Sequence, residues 1–271
     1  MTTMAHEAEV LVPLSREEAI EAFGDGREVT VFAGGTILMP EIALGRLRPR
    51  RALLLAHAGL GDIRRSGGTF SIGAAVSVAR IAEEAPEPLA ALARHVGDYE
   101  IRGQATIGGN LCAPAGPSSP RGDLQAALLA LGARVHSAGA GGERVDPVDD
   151  FLAAGGEGRL VLEVVVEEPV RASAQALARP HTHAYTALAV ACAETAAGLR
   201  IAVAGAGPRA RRCPSVEQAV ANGASAADAA ARVLDDVELQ DDALASGWYR
   251  GKMLPLLVDR ALASLSAGGD R

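Results

Sequence analysis

Apolar residues recur along this chain with two periods, and where one gives way to the other the element changes type. Ala19, Ile20 and Phe23 follow Ser15-Arg-Glu-Glu18, a capping-box pattern in which Ser15 and Glu18 satisfy each other's backbone amides; the spacing predicts a helix that stops at Gly24-Asp-Gly26. Val29 to Ala33 is a short β-branched run ending at Gly34-Gly35-Thr36, and the apolar Ile37-Leu38-Met39 beyond it starts another helix. Ala52 to Ala56 reads as a buried strand, Thr69 to Gly73 alternates as one, and Ser77 to Glu84 is helical, closed by Pro86 and Pro88. A helix from Leu89 to about Gly97 precedes a polar, glycine-rich segment, Ile101 to Leu111, between two helices.

Beyond the Pro/Ser loop from Ala113 to Arg121, the run Asp123 to Leu131 has a strong helical pattern with Asp123 where an N-cap would sit. Arg134 to His136 and Leu160 to Val166 read as strands around a glycine turn at Gly139 to Gly142 and a short helix near Asp149 to Ala154. Pro169 and the Ala/Ser-rich stretch to Pro180 mark the expected domain boundary. After it come a strand pair, Ala184 to Ala193 and Leu199 to Ala204, and helices at Val216 to Ala221, Ala226 to Val233 and Lys252 to Leu265.

Composition narrows the partners. With 271 residues, 49% hydrophobic and 22% charged, the chain is long enough for two compact units and lies far from the disordered class. A net charge of −7 and 3% aromatic residues leave neither a basic field nor stacking platforms for nucleic acid. Met1 to Val10 does not read as a secretory signal, and the apolar stretch Ala184 to Gly207 is interrupted by Glu194 and Arg200, so no membrane span and a cytoplasmic location are expected. Cys112, Cys192 and Cys213 are far apart and form no C-x-x-C pair; no metal site, disulfide framework or iron–sulfur cluster is indicated, and Cys112 reads as a small apolar filler. Redox chemistry would need an organic cofactor.

Two glycine turns carry candidate chemistry. Ala33-Gly34-Gly35-Thr36 follows a strand and precedes Ile37 and Leu38 at a helix start; its amides could converge on an anion, or the glycines could serve a tight turn alone. Thr106-Ile-Gly108-Gly109-Asn110, with Asp123 downstream, offers amides, a hydroxyl, an amide side chain and an acceptor for sugar hydroxyls. A third pattern, Gly205-Ala-Gly207-Pro-Arg-Ala210, matches the dinucleotide fingerprint but is rejected, because Pro214 falls where the phosphate-binding helix should run and no strand ending in an acid follows. His181 and His183 could bind metal only with a third ligand, which the neighbourhood lacks; a loop role is the plainer reading. No catalytic acid–base pair stands out.

Together these segments resemble the FAD-binding medium subunit of the molybdenum hydroxylases, the xanthine dehydrogenase and carbon monoxide dehydrogenase family. The resemblance runs over Pro13 to Ala19, the loop Ala33 to Thr36 with Leu38 and Pro40, Phe70 to Ala74, and Ile101-Arg102 with Thr106 to Leu111. It continues through Gly122-Asp123-Leu124, Pro208 to Pro214, Tyr249-Arg250 and Asp259 to Ala261.

The resemblance implies an α+β architecture: a vanillyl-alcohol-oxidase-type (PCMH-type) FAD-binding fold over 1–172, with subdomains at about 1–54 and 55–172, then a small α+β C-terminal flavoprotein domain over 173–271. It implies a diphosphate on the amides of Gly34, Gly35, Thr36, Gly108 and Gly109, with Thr106, Asn110 and Asp123 completing the contacts. Leu160 would meet the cofactor through its backbone and Tyr185 would approach the isoalloxazine ring. It further implies a [2Fe-2S] small subunit and a molybdenum-cofactor large subunit as partners, in a dimer of heterotrimers. Electrons would leave through FAD to NAD⁺, O₂ or another acceptor. A self-standing flavin oxidase or dehydrogenase, or an FAD-free scaffold, are the alternatives.

Overall fold

The structure is a computed structural model that describes residues 8–114, 122–178 and 185–267. Three sheets organise it. The first unit comprises β1 (Glu9–Leu11), α1 (Arg16–Phe23), β2 (Val29–Phe32), α2 (Leu38–Ala43) and β3 (Arg51–Leu54). Its strands pair in parallel in the order β1-β3-β2, and the helices supply the crossovers that parallel pairing demands. Ser15 caps α1 by accepting from Glu18 N–H at 3.1 Å, and Glu18 Oε2 accepts from Leu14 N–H at 2.8 Å, one residue ahead of the expected reciprocal partner.

The second unit runs β4 (Ile63–Ser66), β5 (Thr69–Gly73), α3 (Val78–Glu84), α4 (Leu89–Ala93), α5 (Tyr99–Gln104), α6 (Ile107–Leu111), α7 (Gln125–Leu131), β6 (Arg134–Gly139), β7 (Arg144–Pro147), α8 (Val148–Ala153) and β8 (Arg159–Glu167). Its sheet is antiparallel, in the order β4-β5-β8-β6-β7. Central β8 is buried on both faces. One face, with Val161, Val164 and Val166, joins the core under α3 to α7, while Leu160 and Leu162 pack with Ala19, Phe23 and Leu53 of the first unit.

The third unit comprises β9 (Arg171–Ala178), β10 (Thr186–Thr195), β11 (Gly198–Ala204), β12 (Arg211–Arg212), α9 (Pro214–Ala221), α10 (Ala226–Ala231), a 3₁₀ turn (Arg232–Asp235) and α11 (Gly247–Ala267). The strands form an antiparallel sheet, β12-β11-β10-β9. Period-2 alternation splits β10 between two cores. Leu188, Val190 and Cys192 pack beneath α9 to α11, whereas Ala189, Ala191 and Ala193 join the core that contains α7. Every residue of α7 is buried, because this helix lies between two sheets.

Several expectations are corrected. The polar segment Ile101 to Leu111 is not a connector between helices: α5 and α6 occupy it, capped by Asp98 and Thr106. Asp123 is not the N-cap of α7, which opens on Leu124 without a side-chain cap. The Ala/Ser-rich stretch after Pro169 is not a linker, since β9 pairs with β10 along its length; small residues look loop-like in sequence, yet half-buried alanines suit a strand facing a helix. Helix α11 begins at Gly247, five residues before Lys252, and thus includes Trp248 and Tyr249. Cys112 joins no hydrophobic core as a filler but borders a cavity, where burial still pushes its thiol pKa up to about 11. The G-x-G-x-x-A segment leads into β12, not a helix, and a Cβ on Gly207 would lie 2.4 Å from the Glu238 carbonyl, so that glycine serves a close backbone approach.

Candidate functional site

Between the first and second units lies a cavity of about 640 Å³, within the range of small-molecule and cofactor pockets. Ala33, Gly34, Gly35, Thr36, Ile37, Leu38, Thr106, Gly108, Gly109, Asn110, Asp123, Leu160 and Tyr185 all line it. The fold therefore brings together every residue the sequence singled out for this site, although they come from five separate stretches of the chain.

The first loop is a turn at the carboxyl end of β2, where ligands of open α/β sheets bind. Gly35 has φ +70°, a conformation that disfavours any side chain, and Met39 N–H donates to its carbonyl at 2.8 Å as α2 begins. Gly34 is required by proximity: a Cβ there would lie 2.0 Å from the Gln104 carbonyl oxygen, where the end of α5 crosses the loop. Among the described residues, the N–H groups of Gly34, Gly35, Thr36 and Ile37 find no acceptor. Backbone donors facing a cavity in this way form a nest for an anion.

The second loop is built differently. Ser77 forms an isolated bridge with Thr106, and Ile107 and Gly108 N–H donate to Val76 and Ala74 carbonyls at 3.0 and 2.9 Å, which pins the start of α6 to the chain leaving β5. Gly109 N–H donates to Thr106 Oγ1 at 3.2 Å, the N-cap bond of α6. The amides of Gly108 and Gly109 are thus both engaged within the protein, contrary to the expected role as diphosphate donors; Gly108 instead permits contact with Ala74, whose carbonyl oxygen a Cβ would meet at 2.8 Å. A Cβ on Gly109 would meet only Thr106 Oγ1, at 3.2 Å, so this position faces the cavity.

Asn110, buried, accepts Leu124 N–H through Oδ1 at 2.9 Å and so ties α6 to the first residues of α7. Asp123 is likewise buried at the junction. Tyr185 stands at the opposite unit boundary with 42% of its surface exposed, next to Thr186, whose hydroxyl donates to the His95 carbonyl. His181, His183, Arg179 and the loop 115–121 lie outside the described residues.

Sequence reasoning missed part of the wall. Phe23, Val29, Val31, Val96, Ile101 and the glycine turn Gly155–Gly158 all contribute, and so does Arg159, the only cation among the described lining residues. Its guanidinium donates to Ser137 Oγ (3.1 Å), the Ser137 carbonyl (2.7 Å) and the Gly142 carbonyl (3.1 Å). Burial and the neighbouring Arg144 pull its pKa down from the usual arginine value. Gly155-Gly-Glu-Gly158 immediately before the β8 pattern was the available signal; a strand-entry turn this rich in glycine marks a close approach. Among the described residues, no helix is long and apolar enough to cross a membrane.

Comparison with known proteins agrees with this geometry. The family model described as the FAD binding domain in molybdopterin dehydrogenase matches residues 6–168. A search of curated protein sequences returns no significant match. Among solved structures, quinoline 2-oxidoreductase from Pseudomonas putida 86 is similar with a TM-score of 0.82 at 21% identity, covering 97% of this chain and 98% of that one. Carbon monoxide dehydrogenase from Hydrogenophaga pseudoflava gives 0.82 at 24% identity, covering 97% and 99%. Carbon monoxide dehydrogenase from Oligotropha carboxidovorans gives 0.82 at 20% identity, covering 98% and 99%. At these identities the likeness establishes the fold, and the family match over most of the first two units establishes the rest: the chain belongs to the FAD-binding domain family of the molybdopterin dehydrogenases.

Proposed function

We propose that this chain is the FAD-carrying electron-transfer subunit of a molybdenum-containing hydroxylase or dehydrogenase. It takes electrons from [2Fe-2S] clusters of a small partner subunit and passes them to an external acceptor such as NAD⁺ or O₂, while substrate reacts at a molybdenum cofactor in a large subunit. The supporting observation is the nest of unengaged amides at Gly34 to Ile37, which opens into a cavity lined by every candidate residue.

The residues present fit FAD. A diphosphate needs donors without competing acceptors, which the first loop supplies, and it needs close backbone approach, which Gly35 and Gly109 allow. Thr106 holds the second loop in shape through its cap, and Asn110 and Asp123 place the α6–α7 junction against the same space. Flavin, when bound, supplies one- and two-electron redox chemistry, so the protein's task is binding, orientation and electrostatics. Tyr185, at the exposed end, stands where the isoalloxazine ring would meet a partner protein.

The test is an absorption spectrum of the purified chain with and without added FAD, followed by mass spectrometry of co-purifying subunits. Near-stoichiometric flavin with iron–sulfur and molybdenum subunits is the expected result, and a folded, colourless chain that ignores FAD would overturn the reading. Gly109→Asp sharpens it. The new Cβ would press only on the Thr106 hydroxyl, at 3.2 Å, and its carboxylate would enter the cavity that the nest lines, so flavin retention should be lost with the melting temperature kept within a few degrees; normal flavin content would sink the loop assignment.

A further inference from the structure

The third unit reaches the cavity at one point. Among the described lining residues only Tyr185 comes from it, and an irregularity in β10 follows directly: Ala178 pairs with Thr186 but Leu177 with Leu188, so Ala187 is an extra residue and the strand bulges. Strict alternation would turn Thr186 to the side of Leu188 and Val190, beneath α9 to α11. The bulge turns it the other way, toward the core that includes α4, where the hydroxyl of this buried residue donates to the His95 carbonyl at 3.1 Å.

His95 lies in the turn between α4 and α5, and Val96, Gly97 and Asp98 of that turn line the cavity together with Ile101 and Tyr185. Three successive carbonyls of the turn are held by side chains. Arg102 Nη1 donates to those of Val96 and Gly97 at 3.2 and 3.0 Å, and Thr186 holds that of His95. Asp98 caps α5 by accepting from Ile101 N–H at 2.8 Å, and Gly97, at φ +49°, packs so closely that a Cβ would lie 2.7 Å from the Ile101 side chain. The Ile101-Arg102 pair of the sequence thus supplies one wall residue and one clamp. Arg102 belongs to the same unit as the turn, whereas the Thr186 hydroxyl ties the turn to the third unit.

We propose that Thr186 is a positioning residue for the flavin: the β10 bulge and the bond to His95 hold Tyr185 and the turn from Val96 to Asp98 as one wall, so that the third unit sets the environment of the redox-active ring. The inference rests on the cofactor reading above, with the ring at the accessible Tyr185 end. Bulges beside binding sites commonly re-aim a side chain, and a wall fixed before the ligand arrives loses little entropy on binding.

The experiment uses the full chain, titrated separately with FAD and with ADP, which lacks the flavin. In Thr186→Val, which keeps the shape and removes the donor, FAD affinity should fall roughly 5- to 20-fold, the scale of one hydrogen bond, while ADP affinity changes less than about twofold. The absorption and fluorescence of the bound flavin should shift as well. Thr186→Ser, which keeps the hydroxyl, should restore both the spectrum and the ratio of FAD to ADP affinity. Arg102→Gln releases the turn from its other side and should shift the same spectrum; it decides the matter should the valine variant fail to fold. A valine variant with a lower melting temperature but a wild-type spectrum and ratio overturns the proposal alone, as does a serine variant that behaves like the valine one or, with the valine variant unfolded, an unchanged spectrum in Arg102→Gln. Wild-type chain that takes up no FAD overturns the cofactor reading itself, and this proposal with it.

Discussion

Gly34 and Gly109 line the same cavity for opposite reasons, and substitution separates them. At Gly34 an added methyl group would sit 2.0 Å from the backbone oxygen of Gln104, and backbone cannot yield as a side chain does. Gly34→Ala should therefore destabilise the fold by at least about 2 kcal/mol and shift α5 away from the nest. Urea denaturation measures this, and a midpoint equal to wild type would show that the loops part without penalty. At Gly109 an added Cβ would press only on the Thr106 hydroxyl, at 3.2 Å, a side-chain atom that can shift, so its substitutions report chiefly on the ligand rather than the fold. The motif Gly-Gly-Thr was legible as a turn, but which glycine answers to sterics and which to a ligand depends on what stands across from it, and the neighbours of Gly34 lie about seventy positions away in sequence.

At the scale of elements, α6 and α7 illustrate how short helices become rigid. Five residues cannot sustain a helix alone, so α6 depends on its Thr106 cap, on bonds from Ile107 and Gly108 to the chain after β5, and on the Asn110 tie to Leu124. Asn110→Ala removes the acceptor for a buried amide; the expected loss is about 1–3 kcal/mol, with weaker flavin binding because the loop Thr106 to Gly109 is no longer held. Thermal unfolding with and without FAD checks both parts, and a stability change under about 0.5 kcal/mol would refute the tie. The longer elements were legible because apolar period and caps agree, as at Ser15 and Ser77, or because the apolar period alone is strong, as in α7. The two helices across Ile101 to Leu111 were not, since glycines and polar residues there mask a conformation imposed by caps and by neighbouring strands.

Across the whole molecule, α7 joins what looked like separate domains. Alanines of β10 and β11 complete its core, and Arg200 of β11 donates to the Leu129 carbonyl and to Asp149 at 3.0 Å each. A fragment ending at residue 169 would leave the third-unit face of this fully buried helix open to water. Such a fragment should aggregate or unfold without cooperativity, as read by size-exclusion chromatography and calorimetry; a monomer with the melting temperature of the intact chain would refute that dependence.

The sequence by itself determined most of the alternation of helices and strands and the two glycine loops, because caps, periodicity and turn chemistry act over a few neighbouring positions. Tertiary structure alone decided that β9 is a strand, that Gly108 has spent its amide on Ala74, that α7 is shared between two sheets and that Arg159, tied to Ser137 and Gly142, is among the residues lining the cavity. Each of these depends on groups brought together from distant parts of the chain, and a buried hydrogen bond or close contact exists only once both partners have been placed.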